Sequence, residues 1–214
     1  VYKLALALVE VGRAEEAERL FHGRFFPREE GGTNVRQVFL EVRLRRALEL
    51  AKAGRTKEAA ALVASLDRPV KGLTFTQDGL AEFLDTARLR LLRGDVLSAA
   101  GRPQAARTEW ERVRDGGEGA LLRPVHLALA QRRLGEGDPA KEKAALEQAL
   151  SRAEAVLAQG TSAPGIVVYA QGVTLRALGR EVEAQDTLRR VLLLPDVRLS
   201  HFLARQALEG KESR

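Results

Sequence analysis

The chain has 214 residues, 45% hydrophobic and 30% charged, a composition of soluble globular proteins. It contains no cysteine, which excludes disulfides, zinc–thiolate sites and cysteine nucleophiles. Its net charge of +6 is spread along a chain that also holds 29 acidic residues, so it lacks the concentrated basic patch of a dedicated nucleic-acid binder. Leu (34) and Ala (33) dominate while Ile occurs once, at Ile166, a balance that predicts an all-α protein.

In chain order, the apolar run Leu4 to Val11 predicts a first helix. It is too short to span a membrane and lacks the small-residue cleavage site of a signal peptide. With no Met anywhere, the chain is expected to be a piece of a longer protein, starting inside a helix. The helix ends at Gly12-Arg13, and Ala14-Glu15-Glu16-Ala17 starts a second one. The same junction recurs at Gly54-Arg55, Gly101-Arg102, Gly137-Asp138 and Gly179-Arg180, each glycine suited to close a helix in the left-handed conformation. Pro103 and Pro139 stand where a first helical turn tolerates proline. Hairpins are therefore expected over residues 1–25, 35–66, 80–114, 124–158 and 165–194, with an amphipathic cap helix over 197–209 and a frayed tail. The connectors fall at 26–34, 67–79, 114–120 and 159–165, and one domain, 1–214, is expected because each hairpin must pack on its neighbour.

These copies resemble the tetratricopeptide repeat, in which a glycine ends helix A and a small residue five positions later lets helix B pack closely. The last copy matches with Gly172, Leu175, Ala184, Leu188, Val191 and Pro195, and the third with Gly94, Leu97, Ala106, Trp110 and Val113. The resemblance implies a right-handed α-α superhelix, a solenoid of about five hairpins plus a cap. The glycines lie 42, 47, 36 and 42 residues apart, longer than the family norm, so helices or connectors are extended. In the second copy the large helix A positions fall on Arg43 and Arg46, and the apolar stripe runs Leu44, Ala47, Leu48, Ala51, a register shifted by one. More narrowly, Phe26-Pro27-Arg28-Glu29-Glu30-Gly31-Gly32-Thr33-Asn34 followed by Arg36 is similar to the C-terminal repeat region of certain large bacterial proteins that begin with a β-rich, carbohydrate-enzyme-like domain. That resemblance implies that catalysis, if any, lies outside this chain.

No catalytic constellation stands out. His22, His126 and His201 share no metal-ligand spacing, no serine sits in Gly-x-Ser-x-Gly, and the pairs Glu15/Glu16, Glu29/Glu30 and Glu109/Glu111 point apart on a helix. Gly116-Gly117-Glu118-Gly119 lacks the Lys and Ser/Thr of a phosphate loop. Neither a metal nor a cofactor is expected. Asn34 with Gln37 reads as a capping box, and alternatively Glu30, Asn34 and Arg36 contact an adjoining domain. Arginines cluster on the second and third A helices: Arg36, Arg43, Arg45 and Arg46, then Arg88, Arg90 and Arg93. If these helices line one groove, Arg36, Arg43, Arg46, Arg90 and Arg93 are candidate anchors for acidic peptide segments, with Tyr169 beside them; the alternative is a solvated Arg/Glu face. RNA is disfavoured because Phe39, Phe75, Phe83 and Tyr169 are sparse and assignable to packing.

The expectation is a non-catalytic protein–protein interaction or domain-docking scaffold with a partly basic concave surface. Its partner is a protein or peptide, or an N-terminal domain of the same longer chain, with no membrane insertion. Two alternatives stand beside it: a helical accessory domain of a larger carbohydrate-active enzyme and, more weakly, electrostatic nucleic-acid binding. The compartment is left open, with a bacterial cytoplasmic setting favoured.

Overall fold

The computed structural model describes residues 1–26, 35–77, 80–117, 121–195 and 199–210. Among them the chain is all-helical and holds no strand. The helices are α1 (Tyr2–Glu10), α2 (Ala14–Arg19), α3 (Val35–Lys52), α4 (Thr56–Ala64), α5 (Ala81–Leu84), α6 (Ala87–Ala99), α7 (Pro103–Asp115), α8 (Arg123–Leu134), α9 (Pro139–Gln159), α10 (Pro164–Ala177), α11 (Glu181–Leu192) and α12 (Leu199–Leu208), with a 3-10 turn at Thr74–Thr76. They form two compact units, Val1–Arg112 and Val113–Arg214.

In the first unit α1 packs on α2, α3 on α1, α2 and α4, and α6 on α3 and α4. Each hairpin's first helix thus lies beside the first helix of the hairpin before it. The core at the start of α3 is aromatic: the Phe39 ring stands edge-on to Phe21 at 5.3 Å and to Phe75 at 5.4 Å between centroids. Phe75 arrives on the connector between α4 and α6, which is folded rather than loose. Leu66, Leu73, Leu80 and Leu84 are buried, and the Thr76 hydroxyl donates to the Leu73 carbonyl at 2.7 Å while accepting from the Val70 N–H at 2.8 Å. In the second unit α8 packs on α9 and α10, α10 also on α9 and α11, and α12 on both α10 and α11.

The junctions follow from the glycines. Gly12, Gly54, Gly101 and Gly179 have φ of 74°, 77°, 70° and 76°, a region costly for residues with a Cβ. At each, the arginine that follows donates its N–H five residues back, as from Arg13 to Leu8 and from Arg180 to Leu175 at 2.8 and 2.9 Å, satisfying a carbonyl the helix leaves open. The fourth junction departs from the sequence reading. Gly135, two residues before Gly137, takes the left-handed cap, and Glu136 makes the matching bond to the Gln131 carbonyl at 2.9 Å. The two extra residues lead to Asp138, whose side chain accepts from the Ala140 and Lys141 N–H groups and starts α9. Three other second helices use a different device: Arg13, Arg55 and Arg180 at the N-cap each grip a glutamate three residues on, Glu16, Glu58 and Glu183.

Small residues set the spacing inside the hairpins. A Cβ on Gly172 would fall 2.7 Å from Leu188 Cγ, and one on Gly94 2.7 Å from Trp110 Cδ1. Glycine inside a helix costs about 1 kcal/mol relative to alanine, a cost offset by letting α11 close on α10 and α7 on α6. The first two copies place Ala5 and Phe21, then Ala47 and Val63, at the same separation, and all four are buried. The expected stripe of α3 is present, with Leu44, Ala47 and Ala51 buried and Leu48 half-buried, but Glu41, Arg43 and Arg45 are buried as well, so α3 is enclosed on every side over residues 38–45.

Candidate functional site

The arginines nominated as groove anchors lie within the first unit, with their guanidiniums turned to its own carboxylates and carbonyls. Arg43 and Arg46 both reach Glu18 on α2: Arg46 NH1 lies 2.7 Å from its Oε2 and Arg43 Nε 3.4 Å from its Oε1. Arg90 and Arg93 both reach Glu109 on α7, at 3.0 and 3.6 Å, and Arg112 adds a third cation at 3.6 Å. Between these clusters Glu41 on α3, fully buried, is held by Arg45 at 2.9 Å and by Arg88 of α6 at 2.5 Å. Each buried carboxylate therefore serves at least two guanidiniums.

Three of the nominated arginines also hold the folded connector. Arg36 Nε donates to the Phe75 carbonyl at 2.9 Å, Arg43 NH2 donates to Ser65 Oγ at 3.0 Å, and Arg90 NH2 donates to Asp85 Oδ1 at 2.6 Å. Arg43 additionally lies over the Phe39 ring at 5.5 Å. Such fixed, planar donors suit carboxylates and carbonyls in paired geometry, the chemistry expected of them, but here the acceptors belong to the same chain.

Burial is the largest single influence on Glu41, Arg43 and Glu49. Burial pushes the Glu41 carboxyl upward, and Arg88 and Arg45 outweigh it, holding the group below the ordinary carboxylate range. For Arg43 burial pushes the pKa down, only in part offset by Glu18, with Arg46 adding to the depression. Half-buried Glu49 is pushed up by burial, opposed by the Ala14 N–H that it accepts from and by Arg46 and Lys52. Glu41, locked between two guanidiniums and held ionised, is suited to joining helices rather than shuttling protons, and Glu18 and Glu109 join helices through their own ion pairs.

Tyr169 on α10 is buried at 4% exposure, away from solvent. His22 is exposed, His126 half-buried, and His201 buried with Nε2 3.1 Å from the Leu194 carbonyl oxygen. Among the described residues no three His, Asp or Glu side chains gather as a metal cage, and no helix is long and apolar enough to cross a membrane. Glu30 and Asn34, the domain-contact candidates, lie outside the described residues, as do the capping box at Asn34 and the Glu118-Gly119 end of the glycine loop.

Sequence reasoning missed Glu18, Glu41 and Glu109 as the centres of these clusters. The signal was present for one of them: Glu41 and Arg88 each stand thirteen residues before the glycine of their copies, so stacking the first helices brings them level. No protein-family model, curated protein or solved structure matches the chain.

Proposed function

We propose that the hairpins belong to a right-handed superhelical solenoid of the tetratricopeptide kind and that the chain is a non-catalytic scaffold, binding a protein partner or docking an adjoining domain. The observation that carries the fold reading is the contact of Gly172 with Leu188 and of Gly94 with Trp110, the same register in two copies and two units. The neighbour-on-neighbour packing of first helices within each unit supports it.

The basic residues of the first unit are engaged internally, so capture rests on apolar anchors more than on free arginines. In the second unit Ile166, Val182 and Leu193 are 39%, 76% and 82% exposed. Ile166 and Leu193 belong to one end of the fifth hairpin, where Leu194 Cδ1 comes within 3.7 Å of the Cβ position at Gly165.

The test is to retain proteins from a nuclease-treated lysate of the source organism on the immobilised chain, purify the retained protein and titrate it calorimetrically. This reading predicts saturable 1:1 binding with modest salt dependence, weakened at least about tenfold by Ile166→Glu with Leu193→Glu. Binding that collapses steeply with salt and ignores those changes points to polyanion attraction and contradicts it.

A further inference from the structure

The first turn of α12 sits against the end of the fifth hairpin that exposes Ile166 and Leu193. Ser200 closes on α10 beside Ile166: a Cβ on Gly165 would fall 2.7 Å from its Oγ. His201, the next residue, donates from Nε2 to the Leu194 carbonyl at 3.1 Å, beside Leu193. One turn of α12 therefore touches the chain neighbour of each exposed anchor. Leu194 Cδ1 lies 3.7 Å from the same Cβ position, so the two anchors are joined through residues that α12 holds.

The seat of α12 is more polar than that of α11. Of the seven residues that α12 buries, three are polar, Ser200, His201 and Gln206, whereas α11 buries four, of which Thr187 alone is polar. Gln206 Nε2 is buried with no hydrogen-bond partner among the described residues, and a buried donor without an acceptor costs its whole desolvation. At the far end of α12, Arg176 Nη1 donates to the Ala207 carbonyl at 2.7 Å while its other nitrogens serve Glu181 of α11. A helix docked through polar groups, one of them unsatisfied, opens before the hairpin beneath it.

We propose that α12 is a releasable strap that sets the docking surface of the fifth hairpin. Docked, it holds Gly165 and Leu194 and so presents Ile166 and Leu193 together; released, it frees them and the surface is lost. A partner seated on Ile166 and Leu193 binds the strapped form and, by linkage, holds α12 down. What the surface binds rests on the scaffold reading, whereas the strap itself is measured on the pure chain.

Amide hydrogen exchange of the full chain decides it, read together with the δ-methyl NMR signal of Ile166, the chain's single isoleucine. Amides of α12 are expected to exchange at least about tenfold faster than the buried amides of α10 and α11. Gln206→Leu removes the unsatisfied donor and slows α12 exchange about tenfold, leaving α10 and α11 unchanged. Ala204→Glu puts a charge at a fully buried position and releases α12. It moves the Ile166 signal while α10 and α11 keep their protection to within about threefold. The protein retained in the lysate test, at about 100 times its Kd, slows α12 exchange by up to about 100-fold. Equal exchange in all three helices, loss of protection in α10 and α11 along with α12, an unmoved Ile166 signal, or a bound partner that leaves α12 exchange unchanged overturns the proposal. If no protein is retained, the scaffold reading fails, and the strap is still decided by the exchange and the Ile166 signal.

Discussion

Leu188 on α11 sits against the bare Cα surface of Gly172 on α10, so closely that a Cβ there would lie 2.7 Å from Leu188 Cγ and 2.8 Å from Cδ2. Both residues are buried, and the fifth hairpin closes around this contact. Trp110 covers Gly94 in the same way sixteen residues on, which makes the contact a feature of the repeat rather than of one hairpin.

Gly172→Ala is expected to destabilise the chain by about 1–3 kcal/mol, although alanine is the better helix former, because the added methyl must displace Leu188. Combined with Leu188→Ala, the loss is less than the sum of the two single changes, since the methyl then enters the space leucine vacates. Urea unfolding of the two single variants and the double variant measures this directly. Additive losses contradict the close contact.

Acid sensitivity has a named source. Because Arg88 and Arg45 outweigh burial and hold the folded Glu41 carboxyl below its unfolded value, the unfolded chain binds the proton more readily. The stabilisation is therefore present above the ordinary carboxylate pKa of about 4.3 and is lost as pH falls through the lower folded value. Glu41→Gln is expected to cost about 3–5 kcal/mol at neutral pH, by leaving guanidiniums buried without their anion, and to flatten the acid limb of the stability curve. Half-buried Glu49, raised by burial, acts in the opposite sense, so the comparison is made between the wild type and Glu41→Gln rather than on one curve.

Arg90 joins Asp85 of the connector to Glu109 of α7, and Arg43 joins Ser65 to Glu18. Replacing both with alanine is expected to speed amide hydrogen exchange across the connector and to lower global stability by about 2–5 kcal/mol. Lysine at the same positions restores little, because a point charge cannot reproduce paired planar donors. Exchange that stays as slow as in the wild type shows that these arginines are not what holds the segment.

Much of the local order is legible in the sequence because it is written in single residues. A glycine before an arginine ends a helix by its backbone alone, and Gly12, Gly54, Gly101 and Gly179 do so where expected. The pairing of small and large residues at Gly94 with Trp110 and Gly172 with Leu188 is likewise visible as spacing. Gly137 misled because two glycines flank Glu136, and only the backbone decides which of them caps α8. The carboxylates at the centres of the arginine clusters were invisible for a different reason. A charged side chain on a helix looks solvated until the helix seated against it is known, and Glu18, Glu41 and Glu109 lie 23 to 91 residues from one another along the chain. The segment 67–79 read as a loop because its buried residues, Leu73, Phe75 and Thr76, follow no helical or strand period.

The most direct measurement is a double-mutant cycle on Glu41 and Arg88, which sit level on consecutive first helices and meet at 2.5 Å. Unfolding free energies of Glu41→Gln, Arg88→Met and the pair give the coupling. Stacked hairpins with a buried ion pair between them predict a coupling of about 1.5–3 kcal/mol, the double variant being no worse than Glu41→Gln alone. Losses that add to within about 0.5 kcal/mol contradict the stacking of these helices on which the account rests.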